Sequence, residues 1–219
     1  LRALALREQM FAEPFYRLVH AEGDGLPGLI IDRYGRHLVL RINTAGMERL
    51  KDMLLEALLR VVPADGVLLR GDTPGRALEG LDSRIEVLAG EVPEELVIRE
   101  NGLTFVIAPR AGQKTGWYYD QRLNRLFGRM LVRGRTVLDL FAYSGAFGLN
   151  ALAAGARSVW LVDSSGSALE RARASAVLQG VADRVECIED DCFAFLERAA
   201  AEHRRFGVVF ADPPPFARS

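Results

Sequence analysis

Residues 137–148 read VLDLFAYSGAFG, and 24 positions after Asp139 comes Asp163, closing WLVD. A strand, a Gly-containing turn, a helix and a second strand ending in an acid form the nucleotide-ribose half of a doubly wound fold. The glycine pattern restricts the ligand. Only Gly145 falls inside the turn before the helix begins, so the G-x-G-x-x-G that a dinucleotide pyrophosphate demands is missing. An acid at the turn, Asp139, would repel phosphate but suits a cationic amine, and Asp163 suits ribose hydroxyls. Together they point to S-adenosylmethionine.

The surrounding pattern extends this to a parallel α/β sheet. Helix 120–131 leads to strand 136–141, helix 146–154, strand 158–162, helix 165–178, strand 184–189, helix 192–201 and strand 206–211. Strands that are continuously apolar and alternate with helices imply a parallel sheet. Four of its strands are visible, and we expect the sheet to be incomplete at its C-terminal end. Upstream the style differs. GLPGLIIDRYGRHLVLRIN predicts a hairpin turning at Gly35, and apolar residues at helical spacing predict one amphipathic helix over 45–62, stopped by Pro63. A strand at 66–70, a polar Gly/Pro loop and a hairpin turning at Asn101-Gly102 complete a small α+β unit. The expected division is an incoming helix or linker over 1–22, a central α+β domain over 23–109 and a parallel α/β domain with the S-adenosylmethionine half-site over 110–219.

A chain of 219 residues with 49% hydrophobic content can bury a sizeable core. Its two cysteines, Cys187 and Cys192, suggest neither a disulfide framework nor a four-ligand metal site, and no apolar run is long enough to cross a bilayer. Cys187 reads as core and Cys192 as a buried cysteine at a helix start. Neither metal nor membrane is expected, and the default location is cytoplasmic. The formal net charge of −1 makes no whole-chain case for nucleic acid, but the segment 110–135 carries Arg110, Lys114, Arg122, Arg125, Arg129, Arg133 and Arg135 against Asp120. Such a stripe could hold phosphates or be a solvated helix face.

The chemistry-bearing residues fall at the carboxyl ends of successive strands, where an open α/β sheet places its ligands. Asp139 and the turn residues Phe141, Tyr143 and Gly145 follow the first; Asp163 ends the second. Glu189-Asp190-Asp191-Cys192 follows the third, and Asp212-Pro213-Pro214 the fourth. Each acid has a plainer reading as a helix cap or strand terminator, with Ser144 as an N-cap in the first turn. Before the sheet, RAGQKTGWYYDQR over 110–122 has no periodicity and reads as a binding loop or a domain linker.

GQKTGWYYDQR, VLDLFAYSGAFG, WLVD, EDDCF and DPPPF, with YRLVHAEGDGLPGLIIDRYG upstream, resemble in order and spacing the bacterial 23S ribosomal RNA large-subunit methyltransferase I family. The resemblance covers essentially the whole chain. It implies a class I, Rossmann-like methyltransferase using S-adenosylmethionine to form 5-methylcytosine, with 23S rRNA as partner, and leaves self-association into a homodimer open. It further implies an N-terminal PUA domain before this segment and the rest of the sheet after it. By resemblance, Lys114, Tyr118 and Gln121 lie by the methionine end of the cofactor. Asp139, Phe141, Tyr143 and Gly145 wrap it, Asp163 holds the ribose, and Asp191 and Cys192 meet adenine. Asp212 faces the target base, while the nucleophilic cysteine is expected beyond Ser219, so this piece alone should not catalyse. Arg110, Arg122 and Arg125 are the RNA-binding candidates, and Tyr118 or Phe216 could stack on an unstacked base. In amino-group methyltransferases an aromatic directly follows the two prolines, whereas here Pro215 intervenes before Phe216. That difference favours carbon methylation, though methyltransferases acting on a guanine ring nitrogen share Asp-Pro-Pro. A guanine-N7 enzyme and a non-catalytic RNA-binding or assembly protein remain the alternatives.

Overall fold

The computed structural model describes residues 1–214. Contacts divide the chain into two compact units, one of residues 1–98 and 107–119, the other of residues 99–106 and 120 onward.

The first unit opens with α1 (Arg2–Met10), followed by β1 (Phe15–His20), β2 (Leu29–Tyr34) and β3 (His37–Ile42). Then come α2 (Ala45–Arg49), α3 (Lys51–Val61), β4 (Gly66–Arg70), α4 (Pro74–Leu78) and β5 (Ile85–Gly90). One five-stranded sheet of order β1-β2-β3-β4-β5 results, antiparallel except for the β3/β4 pair. The β2–β3 turn is as expected, with Gly35 at φ +67°. Three expectations need correction. The stretch 1–22 is more than helix and linker, because β1 buries Tyr16, Leu18 and Val19 in the sheet's core. The helix over 45–62 is two pieces: Leu50 bonds back to the Met47 carbonyl, closing α2 in a tighter turn before α3 resumes. The loop after β4 contains α4 and the edge strand β5, whose mostly half-exposed or exposed residues gave no apolar alternation to read.

β6 (Leu96–Glu100) and β7 (Leu103–Ile107) pair with each other in a separate two-stranded sheet. Asn101 and Gly102 both take positive φ, 54° and 77°, as a two-residue type I′ turn requires. The tip of this hairpin, residues 99–106, belongs to the second unit rather than completing the first.

The second unit continues through α5 (Arg122–Gly128), β8 (Thr136–Leu140), α6 (Ala146–Ala153), β9 (Ser158–Asp163), α7 (Gly166–Leu178), β10 (Val185–Glu189), α8 (Cys192–Ala201) and β11 (Val208–Ala211). The α/β expectation holds, with a sheet parallel throughout, of order β10-β9-β8-β11. Leu138, Leu140 and Val162 bury against Cys192, Phe195 and Ala199 of α8. Alternation turns Asp139, Val159 and Leu161 to the other face, where α6 approaches so closely that a Cβ on Gly148 would lie 2.6 Å from Val159. The chain winds outward from β8 to β10 and then crosses back to β11. Strand order therefore reverses beside β8, and ligands bind at the carboxyl ends of strands at such a reversal.

Candidate cofactor site at the carboxyl ends of the strands

β8 hands the chain to α6 through a turn that most side chains avoid. Phe141 (φ 57°), Tyr143 (φ 49°) and Gly145 (φ 73°) all sit in the left-handed region. Two non-glycine residues held there mark a turn kept in shape by its surroundings. The surroundings are explicit. Asp163 Oδ2 accepts from the Tyr143 N–H at 2.7 Å and its Oδ1 from the Ser165 N–H at 2.9 Å. The Cys192 sulfur accepts from the Phe141 N–H at 3.2 Å and donates to the Val162 carbonyl at 3.5 Å. At Gly145 a Cβ would stand 2.8 Å from Leu161 and 3.0 Å from Ala172, so a glycine serves both the angle and the close approach of α7. Gly145, and not Ser144, is the residue before α6; Ser144 is buried with its hydroxyl unpartnered and caps nothing.

Asp139 corrects the expectation that its carboxylate lines the turn. It is the penultimate residue of β8, is 2% exposed, and points to the α6 face, where Oδ2 accepts from the Gly148 N–H at 2.9 Å. Burial pushes its pKa up to about 7; the Gly148 N–H and Arg125 oppose that shift, while the charges of Asp163 and Asp212 add to it. The charges of Asp163 and Asp212, both of which reach Asp139, give these strand ends a negative potential that suits a cation.

At the third strand end, Asp191 caps α8, Oδ1 accepting from the N–H groups of Phe193 and Ala194 at 2.9 Å each. The cap reading is thus correct for that oxygen. Cys192 reaches no ligand through sulfur, which is engaged as above and whose thiol burial holds it above the ordinary pKa; its backbone N–H, in the first turn of α8, is the group available. Phe193, the last residue of EDDCF and given no role from sequence, is 55% exposed and stands edge-on to Phe141, ring centroids 6.0 Å apart. Its spacing from Phe141 carried no signal, because the pair forms only across two strand ends. Asp212 follows β11 and is exposed. Pro215 and Phe216 lie outside the described residues.

The segment 110–122 divides between the units. Lys114 and Tyr118 lie on the first unit's loop, Lys114 at φ 52° with its ammonium 4.3 Å from the centre of the Tyr118 ring. The loop is bolted to that unit's own sheet. Buried Thr115 donates to Asp32 Oδ2 at 2.6 Å and accepts from the Tyr34 hydroxyl at 3.0 Å, while Arg70 donates to the carbonyls of Pro109 and Gly112. Asp32, fully buried in β2, was missed; an acid inside the apolar run LIIDRY was its only trace. Gln121 belongs to the second unit, where Oε1 accepts from Asn124 at 2.7 Å. Arg110 is exposed and donates to the Val92 carbonyl at 3.3 Å. Arg122 and Arg125 are corrected as phosphate contacts: both pair with Glu100 of β6, whose side chain is inaccessible, at 3.1 and 2.6 Å, and Arg125 is 2% exposed. Guanidinium groups committed to an interior carboxylate hold the hairpin, not a polyanion.

A family model for S-adenosylmethionine-dependent methyltransferases matches residues 76–219. The chain belongs to that family. Its members' cofactor is consistent with the groups present here: an acid accepting at the second strand end, and a cap oxygen and helix-start N–H at the third. Among similar proteins, ribosomal RNA large subunit methyltransferase I of Vibrio cholerae is 42% identical over 208 residues, 93% of this chain and 52% of that protein. The Shewanella denitrificans protein of the same name is 41% identical over 221 residues, 99% of this chain and 56% of that protein. The resemblance read from the motifs is thus borne out, and the chain spans about half the length of these relatives. The solved structure of SMU.776, described as a methyltransferase and complexed with SAH, superposes with a TM-score of 0.86 at 25% identity, covering 99% of this chain and 57% of that one. An M. jannaschii tRNA m1G37 methyltransferase shares the fold with a TM-score of 0.66 at 18% identity, covering 96% and 55%.

Proposed function

We propose that this chain is the central portion of an rRNA methyltransferase that uses S-adenosylmethionine to methylate cytosine C5 in 23S rRNA. The observation that carries the reading is the convergence of Asp163, Asp191, Asp139 and Asp212 on the carboxyl ends of adjacent parallel strands, in a chain about 40% identical to proteins named ribosomal RNA large subunit methyltransferase I. When bound, the cofactor supplies an electrophilic methyl on a sulfonium. Asp163, already fixed by two backbone N–H groups, accepts from the ribose hydroxyls with its remaining lone pairs. The second oxygen of Asp191 and the Cys192 N–H would meet the polar edge of adenine, beside the exposed ring of Phe193. Tyr143 and the Gly145 turn border the methionine portion with Asp139 buried beneath them, and Gln121 is assigned to it by resemblance. Asp212 hydrogen-bonds the target ring, held by the rigidity of Pro213 and Pro214.

Methylation at C5 needs a thiolate that adds to C6. Burial raises the thiol pKa of both Cys187 and Cys192, and Cys192 is hydrogen-bonded into the fold, so neither is suited to that role. We assign the nucleophile to a part of the whole protein outside this chain. A second reading, transfer to a guanine ring nitrogen, needs no thiolate, and neither cysteine of this chain is suited to supply one. Nucleoside mass spectrometry of unmodified 23S rRNA, incubated with the complete gene product and isotopically labelled S-adenosylmethionine, separates them. Labelled 5-methylcytosine is expected; labelled methylguanosine would select the second reading, and no label despite cofactor binding would overturn both.

A further inference from the structure

Charge in the second unit is sorted along the strand direction. Acids collect at the carboxyl ends: Asp139, Asp163, Glu189, Asp190, Asp191 and Asp212. Arginines collect at the opposite ends, Arg133 and Arg135 before β8, Arg157 before β9, Arg184 before β10, and Arg204 and Arg205 before β11. Register puts them side by side. Thr136 pairs with Ser158, so Arg135 and Arg157 enter the sheet as neighbours. Val185 pairs with Val159, and the Gly207 N–H donates to the Thr136 carbonyl, which aligns the other two entrances. Adjacent strands lie about 4.8 Å apart, so the four entrances make a cationic edge roughly 14 Å long.

All of these arginines but the half-buried Arg184 are exposed. Glu202 pairs with Arg204, which also lies 4.6 Å from the centre of the Trp160 ring, and Arg157 donates to the Thr136 hydroxyl at 3.0 Å. Among the described residues no acid pairs with Arg133, Arg135, Arg157 or Arg205. Helices α6, α7 and α8 end on this side, and their C-termini attract cations, but each carries only about half a negative charge. Even with Asp183, Glu186 and Glu202 they fall short of balancing the six arginines. The acidic mouth at the other end repels phosphate, so an RNA presenting a base there must be gripped elsewhere.

We propose that this arginine edge, at the end of the sheet opposite the cofactor seat, is a binding surface for the RNA phosphate backbone. The proposal rests on the rRNA reading above. Five-residue strands place the edge about 17 Å from the mouth, a span that a folded RNA covers while one base enters the seat. Arginine is the suited cation, since its planar fork meets phosphate oxygens two at a time.

The test uses the complete gene product, an unmodified 23S rRNA transcript and the triple variant Arg135→Gln, Arg157→Gln, Arg205→Gln. Binding is measured across a salt series, with S-adenosylmethionine affinity as the check on folding. Loss of three phosphate contacts is expected to reduce the slope of log affinity against log salt by about 2, with cofactor affinity intact, while lysine at the same positions retains the slope. An unchanged slope in the glutamine variant, or a slope lost equally in the lysine variant, overturns the proposal and leaves the rRNA reading standing. An unaltered protein that binds no rRNA overturns both.

Discussion

Asp139 shows how one residue can be set against the stability of its own fold. Its carboxyl titrates near 3.8 when unfolded and about 7 when folded, because burial disfavours the charged form. A raised folded pKa means the folded state holds a proton that the unfolded state has released. Its contribution is therefore fully present below about pH 4 and is lost as pH rises to about 7, by as much as roughly 4 kcal/mol. Asn at this position keeps an acceptor for the Gly148 N–H without the titration. Unfolding free energies of Asp139→Asn and the unaltered protein, compared at pH 5 and pH 8, are expected to favour the variant increasingly at the higher pH. A difference independent of pH would contradict this account of Asp139. The pattern VLDLF showed an acid near the turn, but a single-residue offset within a strand reverses the face a side chain takes. Asp163, the strand's last residue, was legible for the same reason that Asp139 was misplaced.

Among elements, helix–sheet contact in the second unit depends on two glycines. Gly148→Ala drives a methyl into Val159 and Leu161 and is expected to cost about 1–3 kcal/mol, read as a lowered Tm. An unchanged Tm would mean that α6 can withdraw from the sheet. The hairpin depends on charge instead. Glu100→Ala strands Arg125 in the interior and is expected to cost about 3–5 kcal/mol in denaturant unfolding; a loss under 1 kcal/mol would return Arg125 to the surface role the sequence suggested. The βα alternation was legible because continuous apolar strands and capped helices leave local signatures. Arg122 and Arg125 were not, since their partner Glu100 is more than twenty residues away on a strand whose alternating pattern looked like an ordinary solvent-facing hairpin. β5 escaped because an edge strand need not alternate.

For the whole molecule, the second unit joins a sheet with an acidic mouth to a cationic edge, while the first unit carries its own anchored loop with Lys114 and Tyr118. Among the described residues no helix is long and apolar enough to cross a membrane. The central claim is that the strand ends form the S-adenosylmethionine seat, and calorimetric titration of the complete gene product and its Asp163→Ala variant tests it most directly. The account predicts one cofactor per chain, bound roughly 1–3 kcal/mol more weakly by the variant through a lost hydrogen bond to a charged group. Equal affinity in the two proteins would contradict it, since Asp163 would then have no part in holding the cofactor.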